Sequence, residues 1–331
     1  MEALAPATTA SKGHEYRPCP PTGCRSPCPA LNTLANHDYM YVHSNTSLLF
    51  ALTPIALLSS REGYDLSFFD LVNAIVHVYN LSYALAGFLT LVGFLTCGRL
   101  SFGKGMSLAG ETHVKSTWLL YLLCPFLLVL DLYAAYGPRF VLDLCSLSCR
   151  GHTKISHDGS FVHPNCVSST APLPTLVGGL LDFASTTRNL DGRPRDGLGL
   201  IDIAHFHAHR LKNTPTALNN IHSEVALGEC ALTWEVLRGH QCYDGPSDHD
   251  HNACLKDYLD GVIPRTRLEQ WFGEERLPDG WWDFQGVRPT TTVGLVKVKI
   301  LANSIRSLAR KTSCSSCSSA HASSYPNMAS E

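Results

Sequence analysis

The chain has 331 residues, 45% of them hydrophobic, which is enough apolar surface for a full buried core. Its formal net charge is -2, so there is no overall basic field to hold nucleic acid, and a charge-driven nucleic-acid partner is excluded. Thirteen cysteines is an odd number, so at least one thiol stays unpaired within the chain or is used chemically, a metal ligand being one such use.

In chain order, residues 1–12 carry no basic start followed by an apolar run, so they read as a flexible N-terminus and not as a secretory signal. Residues 13–27 are rich in Pro, Gly and Cys and read as an extended arm, with a helix expected from Pro29. Ser67-Phe-Phe-Asp70 is a capping box ahead of Leu71, Val72, Ile75, Val76 and Tyr79, which recur on one helix face. A second helix is expected from Tyr83 to Cys97, with Gly98 ending it in a left-handed conformation, and the two form a helical hairpin.

Further helical patterns fall at 200–212, about 217–238, 265–273 and 293–310, while period-two alternation is scarce. The fold class is therefore all-α, a single helical domain over 13–311. From Thr312 the chain turns Ser-rich without apolar period, and 312–331 is expected to be disordered. Trp118 to Tyr136 is apolar but interrupted by Pro125 and Asp131, a borderline case for membrane contact against a buried helix.

The densest local signal is Arg25-Ser-Pro-Cys28-Pro-Ala-Leu-Asn-Thr-Leu-Ala-Asn36-His37, a cysteine between prolines just before a helix. Pro29 suits the first helical turn, and free N–H groups of that turn can point at the sulfur and favour its thiolate. Taken alone, such a cysteine is more often structural or merely reactive.

This segment closely resembles the proximal-ligand motif of the chloroperoxidase family, which includes unspecific peroxygenases. His14-Glu-Tyr-Arg-Pro18, Leu66 through Ile75, Tyr79-Asn-Leu-Ser82, Leu200-Ile-Asp-Ile-Ala204 through Arg210, and Glu274-Glu-Arg-Leu-Pro278 with Gly280-Trp281 also match family patterns. The resemblance implies haem b with Cys28 as axial ligand to iron, a chloroperoxidase-like helical domain, hydrogen peroxide as oxidant, and a small organic substrate or halide. A thiolate ligand pushes electron density onto iron and favours O–O cleavage. Two apolar stretches, about 47–62 and 105–142, look inserted relative to the family.

The family's Glu-His-Asp-x-Ser segment has its counterpart in Ser156-His157-Asp158-Gly159-Ser160. The resemblance implies that Asp158 orients the His157 ring, and that the His157 carbonyl and Ser160 hydroxyl ligate a Mg or Mn ion. The departure is Ser156, whose neutral hydroxyl is a weaker ligand for a hard cation than the family's carboxylate. The distal acid-base glutamate corresponds to Glu229 in Leu227-Gly-Glu-Cys-Ala-Leu232, with His157 holding that carboxylate; Glu224 and Glu235 compete on the same helix. Phe88 and Phe94 are candidates for an apolar substrate channel or for ordinary core.

Other patterns carry less. His205 and His209 share a helix face but have no third zinc ligand at motif spacing. Asp248-x-Asp250-x-Asn252 lacks the glycine and closing glutamate of a calcium loop, and Cys314-x-x-Cys317 has no partner pair. The alternative to an enzyme is a haem-binding protein without efficient turnover, or a membrane-anchored one, motivated by Ser156 and the apolar stretches.

Overall fold

A computed structural model describes residues 13–42, 58–59, 61–102, 138–151, 154–155, 157–187, 196–215, 217–238, 261–283 and 287–315. The chain is mainly helical. Helix α1 is Pro29–Asn36, α2 is Phe68–Tyr79, α3 is Tyr83–Cys97, α4 is Pro174–Thr186, α5 is Leu200–Lys212 and α6 is Asn220–Leu237. A short α7, Arg265–Leu268, widens directly into a π turn, Glu269–Gly273, and α8 is Leu295–Ser315. Among the described residues, strands appear only as two-stranded antiparallel ladders: β1 Tyr41–Val42 with β2 Leu58–Ser59, β3 Arg99–Phe102 with β4 Pro138–Val141, and β5 Gly197–Leu198 with β6 Ile263–Pro264.

Local chemistry sets the helix ends. The Ser67 hydroxyl accepts from Asp70 N–H and that of Ser82 from Leu85 N–H, satisfying donors the first turns leave free. Asn80 closes α2 in the left-handed region at φ 52°. Its side-chain amide, part of a glycosylation triplet, donates to the carbonyls of Pro289 and Thr290.

Gly98 departs from expectation. It is extended, at φ -66° and ψ 155°, and leads straight into β3. A Cβ there would sit 2.7 Å from the Phe140 ring, so a close approach requires the glycine and not a left-handed turn. Helix α4 has no counterpart among the expected helices, because Gly178 and Gly179 interrupt its apolar period. At the other end α8 continues to Ser315, past the expected start of a disordered tail. The rest of that tail, the N-terminal 1–12, and residues 118–136 lie outside the described residues, as do nearly all of 47–62 and most of 105–142. Among the described residues no helix is long and apolar enough to cross a membrane.

Helix α8 packs along α5 and α6, and α2 with α3 forms the expected hairpin. One continuous core joins them, with Trp234, Phe161 and Phe272 among its largest fully buried side chains. Phe94 belongs to that core, edge-on to Phe68, whereas Phe88 is 51% exposed on the outer face of α3.

A disulfide between Cys24 and Cys145 closes a separation of 121 residues and ties the arm before α1 to the 3-10 turn Leu144–Ser148. Removing it in a Cys24→Ala/Cys145→Ala variant is expected to lower unfolding stability by about 2–4 kcal/mol. Denaturant melts of variant and oxidised wild type check this; coincident midpoints would show that the link does not constrain the fold.

Candidate active site

Cys28 is the N-cap residue of α1, at φ -96° and ψ 109°, with Pro29 in the first turn. The backbone N–H groups of Leu31 and Ala30 point at its sulfur, as the sequence predicts, and favour the thiolate. Burial acts against them and wins: with Glu229 and Glu275 adding to it, the thiol is pushed up to about 11. Yet Cys28 keeps accessible surface.

A dense set of hydrogen bonds fixes the loop before α1. Asn32 Oδ1 accepts from Ser26 N–H at 2.8 Å, Asn32 Nδ2 donates to the Ser26 carbonyl at 2.7 Å, and Ser26 Oγ accepts from Cys28 N–H at 3.2 Å. Arg25 places Nε and Nη2 on Asn36 Oδ1, at 3.1 and 2.6 Å. The entry arm is laced to the helix end: His14 Nδ1 meets the His37 carbonyl and His37 Nδ1 meets the His14 carbonyl, each at 2.8 Å. From α2, the Tyr79 hydroxyl donates to the Ala30 carbonyl at 2.6 Å. Glu275, which has no local sequence signal, reaches the same loop: its Oε1 accepts from Asn32 Nδ2 at 2.6 Å.

Three glutamates on α6 point in different directions. Glu224 is exposed and pairs with Lys299 and Arg306 of α8. Glu235 is buried but pairs with Lys297 at 2.7 Å. Glu229 alone of the three turns inward, close enough to raise the Cys28 thiol. Burial pushes its carboxyl up to about 7, against the Phe161 backbone N–H and the Arg210 charge, which both lower it. Glu229, like Cys28, keeps partial exposure despite this desolvation.

The loop from His157 to His163 supplies the Phe161 N–H. Arg210, 6% exposed, clamps the loop, with Nε on the Ser160 carbonyl and Nη2 on the His163 carbonyl, both at 2.8 Å. Asp158 is bound by Arg150 through two bonds, at 3.0 and 2.7 Å, and accepts from Cys166 N–H at 2.6 Å. It is thus a staple of the loop. The expected Asp158 bond to the His157 ring is replaced: that ring bonds the Leu147 backbone, while Nε2 is buried with no protein partner. Burial holds His157 down to about 4, so it is neutral at pH 7. The carboxylate of Glu229 is met by Phe161 N–H and faced by Arg210, where sequence had assigned His157.

The expected cation ligands are engaged within the loop itself. Ser160 Oγ accepts from His163 N–H and the His157 carbonyl accepts from Ser160 N–H. The positive charge beside them is the Arg210 guanidinium, and no cluster of three or more His, Cys, Asp or Glu is placed to hold a metal among the described residues. Ser156 lies outside the described residues. A small pocket beside Cys28's neighbour Pro27 is lined also by Ser148, Arg150, His157, His163 and Ser169.

A sequence profile described as peroxidase, family 2 matches residues 14–43 and 58–285. The chain belongs to this family. Its match contains the arm, α1, the His157–His163 loop, Glu229 and Glu275, and leaves out 44–57 and α8. An aromatic peroxygenase from Coprinellus radians is 30% identical over 115 residues, covering 33% of this chain and 36% of the other. The chain thus aligns to about a third of the length of that curated relative.

The Arg210 charge sets a testable sign. Replacing it in Arg210→Met removes a group that lowers the Glu229 pKa, so the ionisation near 7 is expected to move upward. The two loop carbonyls also lose a charged donor, at a cost of about 3 kcal/mol in stability. A pH titration of the Glu229 carboxyl by infrared difference spectroscopy reads the first effect; a shift downward would contradict the geometry.

Proposed function

We propose that this family member is a haem-thiolate peroxidase or peroxygenase, using hydrogen peroxide to oxidise or oxygenate a small organic substrate or a halide. The observation that carries this is that Cys28 and Glu229, 201 residues apart in the chain, are brought near enough for the carboxylate to raise the thiol, both strongly desolvated and neither fully covered.

The residues present suit haem. A thiol faced by N–H dipoles offers an axial ligand on one side, and a carboxyl with a near-neutral pKa stands on the other. Ala30 and Leu31 beside Cys28, and Leu232 one turn from Glu229, are apolar and only partly buried, as a flat apolar group needs. The pocket of Ser148, Arg150 and His163 would take carboxylates at the rim. Bound haem supplies the iron at which the peroxide O–O bond is broken.

The protein's own part is to move one proton. Hydrogen peroxide must lose a proton from one oxygen and gain one on the other as its O–O bond breaks, and a single carboxylate can do both. Glu229 suits this because burial has raised it to about 7, where it both accepts and returns a proton near neutrality. The Phe161 N–H fixes one carboxylate oxygen, and Arg210 keeps the ionised form available. His157, neutral and held by Leu147, and Asp158, bound to Arg150, support the loop from which Phe161 N–H is offered.

With peroxide limiting, turnover is expected to rise with pH through about 7, as the base form of Glu229 appears. Glu229→Gln should lower it by about 10²–10⁴-fold and flatten that rise. Cys28→Ala should abolish the strongly red-shifted Soret band of the reduced carbon monoxide complex. A wild-type spectrum of histidine type, or a folded chain that takes up no haem, would sink the proposal.

A further inference from the structure

The prolines at 27 and 29 leave the Ser26–Cys28 turn with only two backbone N–H groups, and both are satisfied by side chains: Ser26 N–H by Asn32 Oδ1 and Cys28 N–H by Ser26 Oγ. The turn's shape therefore depends on how Asn32 is held. Asn32 and Ser26 are fully buried, so every polar atom of the amide needs a protein partner. One Nδ2 proton goes to the Ser26 carbonyl; the other goes to Glu275 Oε1.

Glu275 does a second thing at once. Its backbone carbonyl accepts from Asn36 Nδ2 at 3.0 Å, and Asn36 Oδ1 is the acceptor on which Arg25 rests. To present carbonyl and carboxylate to two asparagines one turn apart on α1, residue 275 adopts φ 53°, in the left-handed region. A non-glycine residue is strained there and persists only where its surroundings demand it. The π turn Glu269–Gly273 that precedes it brings the chain to this point, with Arg276 N–H bonded back to the Gln270 carbonyl. Burial raises the Glu275 carboxyl to about 7, and the Asn32 hydrogen bond and the Arg25 charge recover only part of that.

We propose that Glu275 is a positioning residue for the haem ligand: through Asn32 and Ser26 its carboxylate holds the Cys28 turn in the conformation that presents the sulfur to the haem. The inference rests on Cys28 being the axial ligand. Glu275 touches neither the sulfur nor, by this account, any reactant; besides its charge, which raises the Cys28 thiol and which Glu275→Ala and Glu275→Gln remove alike, it acts through one amide and one hydroxyl.

The test compares Glu275→Ala, Glu275→Gln and Leu301→Ala, the last a core change on α8 remote from these bonds. Two readouts are taken: the share of reduced carbon monoxide complex with the thiolate-type Soret band, and, in cofactor-free protein, iodoacetamide labelling of Cys28 mapped by peptide mass spectrometry. Glu275→Ala is expected to cost more than half of the thiolate form and to speed Cys28 labelling about tenfold, the factor that loss of a hydrogen bond to a charged group carries. Glu275→Gln, which keeps an acceptor for Asn32, should restore most of both, and Leu301→Ala should move neither despite a lower melting temperature.

Glu275→Ala matching wild type in both readouts, or matching Leu301→Ala, would overturn the inference. Glu275→Gln behaving like Glu275→Ala would overturn the hydrogen-bond route. If wild type itself gives no thiolate band, the haem proposal fails, and the labelling result still decides whether Glu275 holds the Cys28 turn.

Discussion

An unpaired thiol kept in the interior, faced by N–H dipoles and by no full positive charge from the protein, is the constraint on which this structure turns. Burial raises Cys28 to about 11 and the helix start recovers only part of that. The protein therefore builds a site that is poor at making a thiolate unaided. The interlocked polar groups around it, Arg25, Ser26, Asn32 and Asn36, are all buried and keep the sulfur's direction fixed while its charge is decided by what binds.

The opposite wall follows the same logic with a different group. Glu229 is buried without a bonded cation, which places its carboxyl near neutrality, and its remaining control comes from one backbone N–H and one guanidinium. Arg210 serves two purposes there. It holds the loop carbonyls that aim Phe161 N–H, and its field limits how far burial raises the carboxyl.

Much of the fold is legible in sequence because helix ends are written locally. Ser67, Ser82 and Pro29 act within three or four residues of themselves, and α2, α3 and α5 begin and end as their patterns say. What is not legible depends on distant packing. Gly98 ends α3 for the sake of the Phe140 ring, and α4 hides behind two glycines. Cys28 stands out by its flanking prolines and Glu229 only by resemblance. The choice among three glutamates is made by lysines on α8, and Glu275 acquires its role solely because a π turn carries it to Asn32.

The closure of the Cys28 turn by Glu275, 243 residues later in the chain, also sets an order in time. During synthesis the N-terminal segment emerges first, yet Asn32, Asn36 and His37 find their last partners at Glu275 and Leu277. Until some five-sixths of the chain has left the ribosome, the Cys28 turn is an incomplete structure with polar groups open to water, so any group it is to hold meets it complete only after assembly. A nascent or C-terminally truncated chain ending before residue 275 carries the whole cysteine motif and still lacks the means to present it.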